Sequence, residues 1–216
     1  MTYGVSTSSP LPKIGDQAPP FTAQTTQGKI NLSDYEGKWV VLFSHPADFT
    51  PVCSTEFMAF ARKNEQFKRR NVQLIGLSVD SLSSHLAWVT NIKEKMGVEI
   101  PFPLIADLNT AVSQKYGMIH PEASETATVR CVFVIDPQQV IRAMIYYPLN
   151  VGRSMDEILR LIDGLQTVDQ HRVATPADWR PGEDVVEPAP TDVEGVNQRL
   201  RGDLSGTDWY LKKKRI

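Results

Sequence analysis

The stretch from residue 41 to residue 56 decides the fold, and it reads Val41-Leu42-Phe43-Ser44-His45-Pro46-Ala47-Asp48-Phe49-Thr50-Pro51-Val52-Cys53-Ser54-Thr55-Glu56. An apolar run typical of a buried strand leads into a turn. Thr50 then stands at a favourable helix N-cap position, Pro51 at the first helical position and Cys53 at the third. The pattern predicts a strand, a turn and a helix that carries a cysteine in its first turn.

The position of Cys53 predicts an unusual environment for its sulfur. Unpaired backbone N–H groups and the positive end of the helix dipole favour a thiolate over a thiol in the first turn of a helix. The thiolate is the form of cysteine that attacks electrophiles. An inert buried cysteine fits the same local pattern, because unreactive cysteines are common in protein interiors. The helix position alone leaves both interpretations open.

Short apolar runs continue to alternate with helical patterns from Lys38 to about Gln170, which is typical of an α/β domain with a central sheet flanked by helices. Apolar residues near helical spacing predict three helices, around residues 57–67, 86–96 and 158–165. The turn at 136–139 predicts an antiparallel hairpin between the last two strands, which makes the sheet mixed. The predicted strands are 40–44, 72–79, 104–106, 129–135 and 140–146.

The character of the chain changes after His171. Four prolines, Gly182 and several acidic residues break any long element between residues 176 and 190. We therefore expect one main domain over residues 1–170 and a C-terminal arm over residues 171–216. Because Trp179, Trp209 and Tyr210 give this arm apolar side chains to bury, we expect it to pack across a partner subunit.

Composition limits the classes of function. The chain has 216 residues, of which 41% are hydrophobic and 22% charged, with a formal net charge of -2. That charge gives no general electrostatic reason to bind nucleic acid or an anionic membrane, and we interpret the basic run at 212–215 as a solvated tail. The polar N-terminus and the lack of a long apolar stretch predict a cytoplasmic protein. Two cysteines are too few for a disulfide scaffold.

Several motifs resemble one protein family. Pro46, Thr50 and Cys53 reproduce the Pro-x-x-x-Thr/Ser-x-x-Cys pattern of peroxiredoxins. The stretch 44–53 resembles the one-cysteine subfamily of these alkyl hydroperoxide reductase-like proteins in particular. The similarity continues through residues 77–81, 103–107, 128–137 and 176–179, so it covers nearly the whole chain.

This resemblance implies a thioredoxin-like fold and a thiol-dependent peroxidase that reduces hydrogen peroxide and organic hydroperoxides. It implies that Cys53 is the peroxidatic cysteine, that Thr50 holds the peroxide, that Pro46 shields the sulfur and that Arg130 completes the pocket. An external thiol such as thioredoxin or glutathione would reduce the resulting sulfenic acid. The resemblance also implies a homodimer, with a decamer left open, and no metal or organic cofactor.

Other polar residues are candidates for the pocket, each with a structural alternative. A guanidinium in an apolar strand is costly unless paired, so Arg130 needs either a pocket partner or a surface ion pair. Glu56 either orients that arginine or is an ordinary exposed carboxylate. His45 either donates to the peroxide or satisfies a buried backbone group. Arg153 resembles a second arginine around the family's pocket, and a purely structural role is the alternative.

The remaining cysteine and histidines point to no further chemistry. Cys131 directly follows Arg130 on the same predicted strand, so the two side chains face opposite sides of the sheet. If Arg130 faces the pocket, Cys131 packs with Phe133 and Ile135, and a one-cysteine cycle follows. His85, His120 and His171 lack the closely spaced ligand pattern of a metal site in the sequence and are interpreted as structural.

One function of a different class remains open. A protein of this kind can serve as an oligomeric holdase chaperone or as a peroxide-sensing interaction protein. The two classes separate on Cys53→Ser, because peroxidase turnover must vanish in that variant while pure holdase activity survives.

Overall fold

A computed structural model describes residues 11–202 and 206–216 of the chain. Seven strands form one sheet, in the order β2-β1-β5-β4-β3-β6-β7. The central strand β3 runs parallel to β4 and antiparallel to β6, so the sheet is mixed, as the sequence predicted. The strands of this sheet are β1 (Thr22–Thr25), β2 (Gly28–Asn31), β3 (Trp39–Ser44), β4 (Val72–Ser78), β5 (Leu104–Ala106), β6 (Arg130–Ile135) and β7 (Ile141–Tyr147).

The three predicted helices are present, and two shorter ones accompany them. Thr50 immediately precedes α1, and Gly97 ends α2 with a positive φ of 65°, a conformation that glycine adopts without strain. Helix α1 packs against β4, and α2 packs against β5. The helices are α1 (Pro51–Arg69), α2 (Leu82–Met96), α3 (Ala111–Lys115), α4 (Met155–His171) and α5 (Val193–Arg201).

The C-terminal segment is more regular than the sequence predicted. An extended arm was expected, but β8 (Val185–Val186), β9 (Gly206–Asp208) and β10 (Leu211–Lys214) form a small sheet, and α5 precedes β9. The prolines that suggested an arm end at Pro190, and the Asp192 side chain then caps α5 by accepting from the Gly195 N–H at 2.7 Å. Trp179 is buried with Val173 and Val185 of its own chain, so it does not need a partner to cover it.

The N-terminal hairpin of β1 and β2 was not predicted. Each strand has only four residues, and their sequences, TAQT and GKIN, carry almost no apolar alternation. The chain divides into two compact units, one that extends to Met155 and one from Asp156 to Ile216, whereas the sequence had suggested a boundary at residue 170. None of the helices in the described ranges is long and apolar enough to cross a membrane.

The first unit has an apolar layer on each side of the sheet. On one side Phe43 of β3 stacks on Phe60 of α1, with ring centroids 4.1 Å apart, and Phe57 lies 5.4 Å away. Gly76 of β4 permits this approach, because a Cβ there would come within 3.1 Å of the Phe57 ring and 2.8 Å of Leu104. On the other side Cys131, Phe133 and Ile135 belong to one core cluster. The alternation predicted for Cys131 is therefore present in the sheet.

Candidate active site

The end of β3 and the start of α1 bring Cys53 to its position. Thr50 is the N-cap residue with extended backbone dihedrals (φ -102°, ψ 148°), and Pro51 follows as the first helical residue. Cys53 is consequently the third residue of α1, and its side chain is buried. These positions agree with the prediction from the sequence.

The Thr50 side chain, however, makes no capping hydrogen bond to the helix. Its hydroxyl donates instead to the backbone oxygen of Ala47, at 2.9 Å, within the loop that precedes the helix. The Thr50 carbonyl accepts from both the backbone N–H and the hydroxyl of Ser54. Pro46 lies half-buried in the same loop. Thr50 and Pro46 thus sit on one short loop whose shape the Thr50 hydroxyl helps to fix.

Arg130 is the first residue of β6, the strand that pairs with β3, and its side chain reaches Cys53 on α1. One terminal guanidinium nitrogen, Nη1, donates to the Cys53 sulfur at 3.3 Å and to Oε2 of Glu56 at 2.7 Å. Its Nε donates to the Leu149 carbonyl at 2.8 Å. The hydrogen bonds to Glu56 and Leu149 therefore hold the guanidinium against the sulfur. With only 3% of its side chain exposed, Arg130 forms no surface ion pair.

Glu56 lies one helical turn beyond Cys53 and binds a second arginine. Oε1 accepts from the backbone N–H and Nε of Arg153, both at 2.8 Å, and Oε2 accepts from Nη2 at 2.7 Å. Burial alone would raise the pKa of Glu56, but the hydrogen bonds and charge of Arg153, together with the charge of Arg130, lower it. Glu56 is thus a buried carboxylate rather than an exposed one, and it remains ionised.

Arg153 acts on the site through Glu56, the carboxylate that also binds Arg130. Its Nη1 donates to the backbone oxygen of Cys131 at 2.8 Å, and its guanidinium lies over the rings of Phe43 and Phe60. Counting formal charges, Arg130 and Arg153 carry two positive charges and Glu56 carries one negative charge. A thiolate at Cys53 would make this buried cluster neutral, which is the arrangement that costs least in a low-dielectric interior.

His45 belongs to a different buried network, on the loop side of the site. Its Nε2 lies 3.0 Å from Oδ1 of Asp48, and its backbone oxygen accepts from the Thr128 hydroxyl. Burial lowers the pKa of His45 below its ordinary value, against the opposing effect of Asp48. The sequence left two partners open for this ring, a peroxide or a buried backbone group. In the structure its partner is the Asp48 carboxylate. The ring Nδ1 has no hydrogen-bond partner among the described residues.

Asp48 is the residue that sequence reasoning missed. Its Oδ2 accepts from the Ser84 hydroxyl at 2.7 Å and lies 2.8 Å from Nδ1 of His85. Burial alone would raise the pKa of Asp48, but the hydrogen bonds of His45 and His85 bring it far below its usual range. The spacing of His45 and Asp48 is a weak local signal. The contacts to Ser84 and His85 span 36 and 37 residues and leave no trace in a single sequence.

The same network contains the one candidate set of metal ligands in the described ranges. Side-chain atoms of His45, Asp48 and Asp80 lie within 4.8 Å of one another. Both oxygens of Asp48 already take part in hydrogen bonds with His45, Ser84 and His85. This donor set favours a hydrogen-bonded network, because a metal would have to displace those partners from a buried carboxylate.

Cys131 lies away from this chemistry. Its sulfur is buried in the opposite core layer, 3.0 Å from the hydroxyl of Ser44. Burial raises the pKa of the Cys131 thiol to about 11. At neutral pH the group is a thiol, which is a poor nucleophile.

Comparison with family models agrees with this geometry. Residues 14–144 match the AhpC/TSA family, and residues 164–202 match the C-terminal domain of 1-Cys peroxiredoxin. The first match contains Pro46, Thr50, Cys53, Glu56 and Arg130, whereas Leu149 and Arg153 lie between the two matches.

Individual relatives cover nearly the whole chain. A peroxiredoxin of Aquifex aeolicus is 57% identical over 95% of this chain and 98% of its own. A solved structure of a yeast mitochondrial 1-Cys peroxiredoxin, described for thiol resolution through glutathione and thioredoxin systems, is 44% identical. It covers 94% of this chain and 99% of its own, with a TM-score of 0.83.

A cysteine-to-serine variant of peroxiredoxin 6 from Arenicola marina also has a TM-score of 0.83, at 37% identity, and covers 94% of this chain and 97% of its own. Family model, sequence relatives and fold agree, and each spans the loop, helix and strand that assemble the site around Cys53. The chain belongs to the peroxiredoxin family, with its thioredoxin-like fold, and is a thiol-dependent peroxidase.

Proposed function

We propose that the chain is a one-cysteine peroxidase that reduces hydrogen peroxide and organic hydroperoxides with Cys53 as its nucleophile. The Cys53 thiolate attacks one peroxide oxygen, the O–O bond breaks, and the other oxygen leaves as hydroxide or alkoxide, which takes up the proton that the thiol released on ionising and becomes water or an alcohol. Cys53 becomes a sulfenic acid. One external thiol condenses with it to a mixed disulfide and releases water, and a second thiol then restores the cysteine.

The contact between Arg130 and Cys53 is the observation that carries this proposal. The guanidinium lies 3.3 Å from the sulfur and is itself held by Glu56 and Leu149. A donor fixed in this way stabilises a thiolate and also negative charge on a departing oxygen close to it. In this scheme, stabilisation of the charge on the departing oxygen and alignment of the peroxide supply most of the acceleration.

The loop before α1 supplies the other proposed parts. We assign peroxide binding to the hydroxyl of Thr50 and protection of the sulfur to Pro46. His45, Glu56 and Arg153 act in this scheme as residues that hold the pocket rather than as groups that react.

The environment of Cys131 supports reduction by an external thiol. Its raised pKa and its place in the opposite core layer make it unsuitable as a resolving cysteine. The similarity to a yeast 1-Cys enzyme described with glutathione and thioredoxin systems favours reductants of that class. We further propose a cytoplasmic location, which cell fractionation tests directly.

Arg130→Ala should slow the reaction of Cys53 with peroxide by on the order of 10²-fold, because a fixed donor at the developing charge is lost. Stopped-flow fluorescence under single-turnover conditions measures this step. Arg62→Ala is the matched control, since Arg62 is exposed on the same helix as Cys53. A folded Arg130→Ala protein with the rate constant of the wild type would remove Arg130 from the mechanism.

Cys131→Ser should retain peroxide reduction supported by dithiothreitol and lose only a core contact, at a cost of about 0.5–3 kcal/mol in the free energy of unfolding. In the wild type, one equivalent of peroxide should give Cys53 sulfenic acid without an internal disulfide. Non-reducing electrophoresis and intact mass distinguish these products. A stoichiometric disulfide between Cys53 and Cys131, within or between subunits, would overturn the one-cysteine cycle.

We also propose a homodimer to which the C-terminal segment contributes. Tyr210 keeps 54% of its surface exposed in the single chain and is available to a partner. Ending the chain after Thr191 removes α5, β9 and β10 but keeps the cluster around Trp179, so it should weaken the dimer. Sedimentation velocity over a concentration series measures this. A truncated protein with an unchanged dissociation constant would rule out the contribution.

A further inference from the structure

His85 is a buried histidine whose two ring nitrogens both face acceptors. Nδ1 lies 2.8 Å from Oδ2 of Asp48, and Nε2 lies 3.1 Å from the backbone oxygen of Ile105. A neutral imidazole has one N–H and can donate to only one of them. The lone pair of its other nitrogen would then face an oxygen lone pair, which is repulsive. Because His85 is fully buried, water cannot bind between the two atoms.

Asp48 does not supply the missing proton. Its two oxygens already receive the hydroxyl of Ser84 at 2.7 Å and Nε2 of His45 at 3.0 Å. A carboxylate that accepts several hydrogen bonds remains ionised, and the lowered pKa of Asp48 agrees with this. The consistent assignment places one proton on Nε2 of His45, which leaves that ring neutral.

We propose that His85 is held as a buried imidazolium, and that the Asp48–His85 ion pair is a positioning device for the loop at 45–50. The positioning role rests on the proposed function, because that loop carries Pro46 and Thr50. The charge assignment does not rest on it. Neither residue contacts Cys53 in this arrangement, and both act through the shape of the loop.

The connections of Asp48 explain how the pair fixes the loop. Asp48 lies between Pro46 and Thr50, and its backbone N–H donates to Oδ2 of Asp80 at 3.1 Å. Asp80 in turn accepts from the hydroxyl of Ser78, the last residue of β4. His85 belongs to the first turn of α2 and bonds to β5. The side chain and backbone of one loop residue are thereby tied to three neighbouring elements.

The charged surroundings of His85 come from two sides. Asp48 approaches from the loop before α1, and the neutral ring of His45 lies 6.1 Å away at the end of β3. Asp80, after β4, adds a second negative charge next to His45. From β5, the Ile105 carbonyl faces Nε2 of the ring. No cation among these groups opposes a positive charge on His85.

Nitrogen NMR of the reduced, ¹⁵N-labelled full chain tests the charge assignment without any enzymatic reaction. The two ring nitrogens of an imidazolium resonate close together, whereas those of a neutral ring are widely separated. At pH 7.5 His85 should show the imidazolium pattern and His45 the neutral one. A neutral pattern for His85 would overturn the proposal, whatever the activity of the protein.

Two variants test the pairing itself. Asp48→Asn removes the anion, so His85 should change to the neutral pattern at pH 7.5, and a persistent imidazolium would show that Asp48 is not its partner. Ser84→Ala is the matched control, because it removes a neutral hydrogen bond to the same carboxylate oxygen. The imidazolium pattern should survive in Ser84→Ala, and its loss there would assign the effect to general disturbance of the network.

The positioning role is tested on the peroxide step. His85→Gln keeps a donor but no positive charge, and it should slow the reaction of Cys53 with hydrogen peroxide by about 10- to 100-fold, as expected for a misplaced reaction geometry. An unchanged rate constant in the folded variant would refute the role. Asp48→Asn, which removes the anion of the pair, should slow the same step by a similar factor, and an unchanged rate constant in that variant would refute the role even if His85→Gln does not fold.

Discussion

A single buried carboxylate holds the reactive part of this protein together. Glu56 accepts four hydrogen bonds from Arg130 and Arg153. Arg130 also donates to the Cys53 sulfur, and Arg153 donates to the backbone of β6 at Cys131. Breaking a buried ionic pair is costly, because it leaves an uncompensated charge in a medium of low dielectric constant. The guanidinium of Arg130 therefore has few alternatives to its position against the sulfur.

The fold provides this arrangement through three elements that meet at one end of the sheet. β3 ends at Ser44 and leads into the loop of Asp48, α1 carries Cys53 and Glu56 one turn apart, and β6 begins with Arg130 beside β3. The aromatic layer of Phe43 and Phe60 fills the space beneath and supports the guanidinium of Arg153. Packing and charge are coupled here, since the rings that join helix and sheet also bound the ionic cluster.

Sequence reasoning reached the parts of the site that local patterns encode. The helix start at Thr50 and Pro51 located Cys53, and strand alternation separated Arg130 from Cys131, as the structure bears out. The Asp48–His85 contact was missed because it joins residues 37 positions apart through tertiary folding alone. The hairpin of β1 and β2 was not predicted because short polar strands have no periodic signal. Helix α5 was not predicted because its N-cap follows closely on a proline-rich stretch.

A double-mutant cycle on the two arginines tests the central claim most directly, with the second-order rate constant of Cys53 with hydrogen peroxide as the readout. Arg153→Lys keeps the positive charge but loses the bidentate hydrogen bonding of the guanidinium to Glu56. If Arg153 acts by holding Glu56 and thereby Arg130, this variant should slow the wild type by about 10-fold or more and change little once Arg130 is alanine. Equal slowing by Arg153→Lys in both backgrounds would contradict the account, because the two arginines would then act independently.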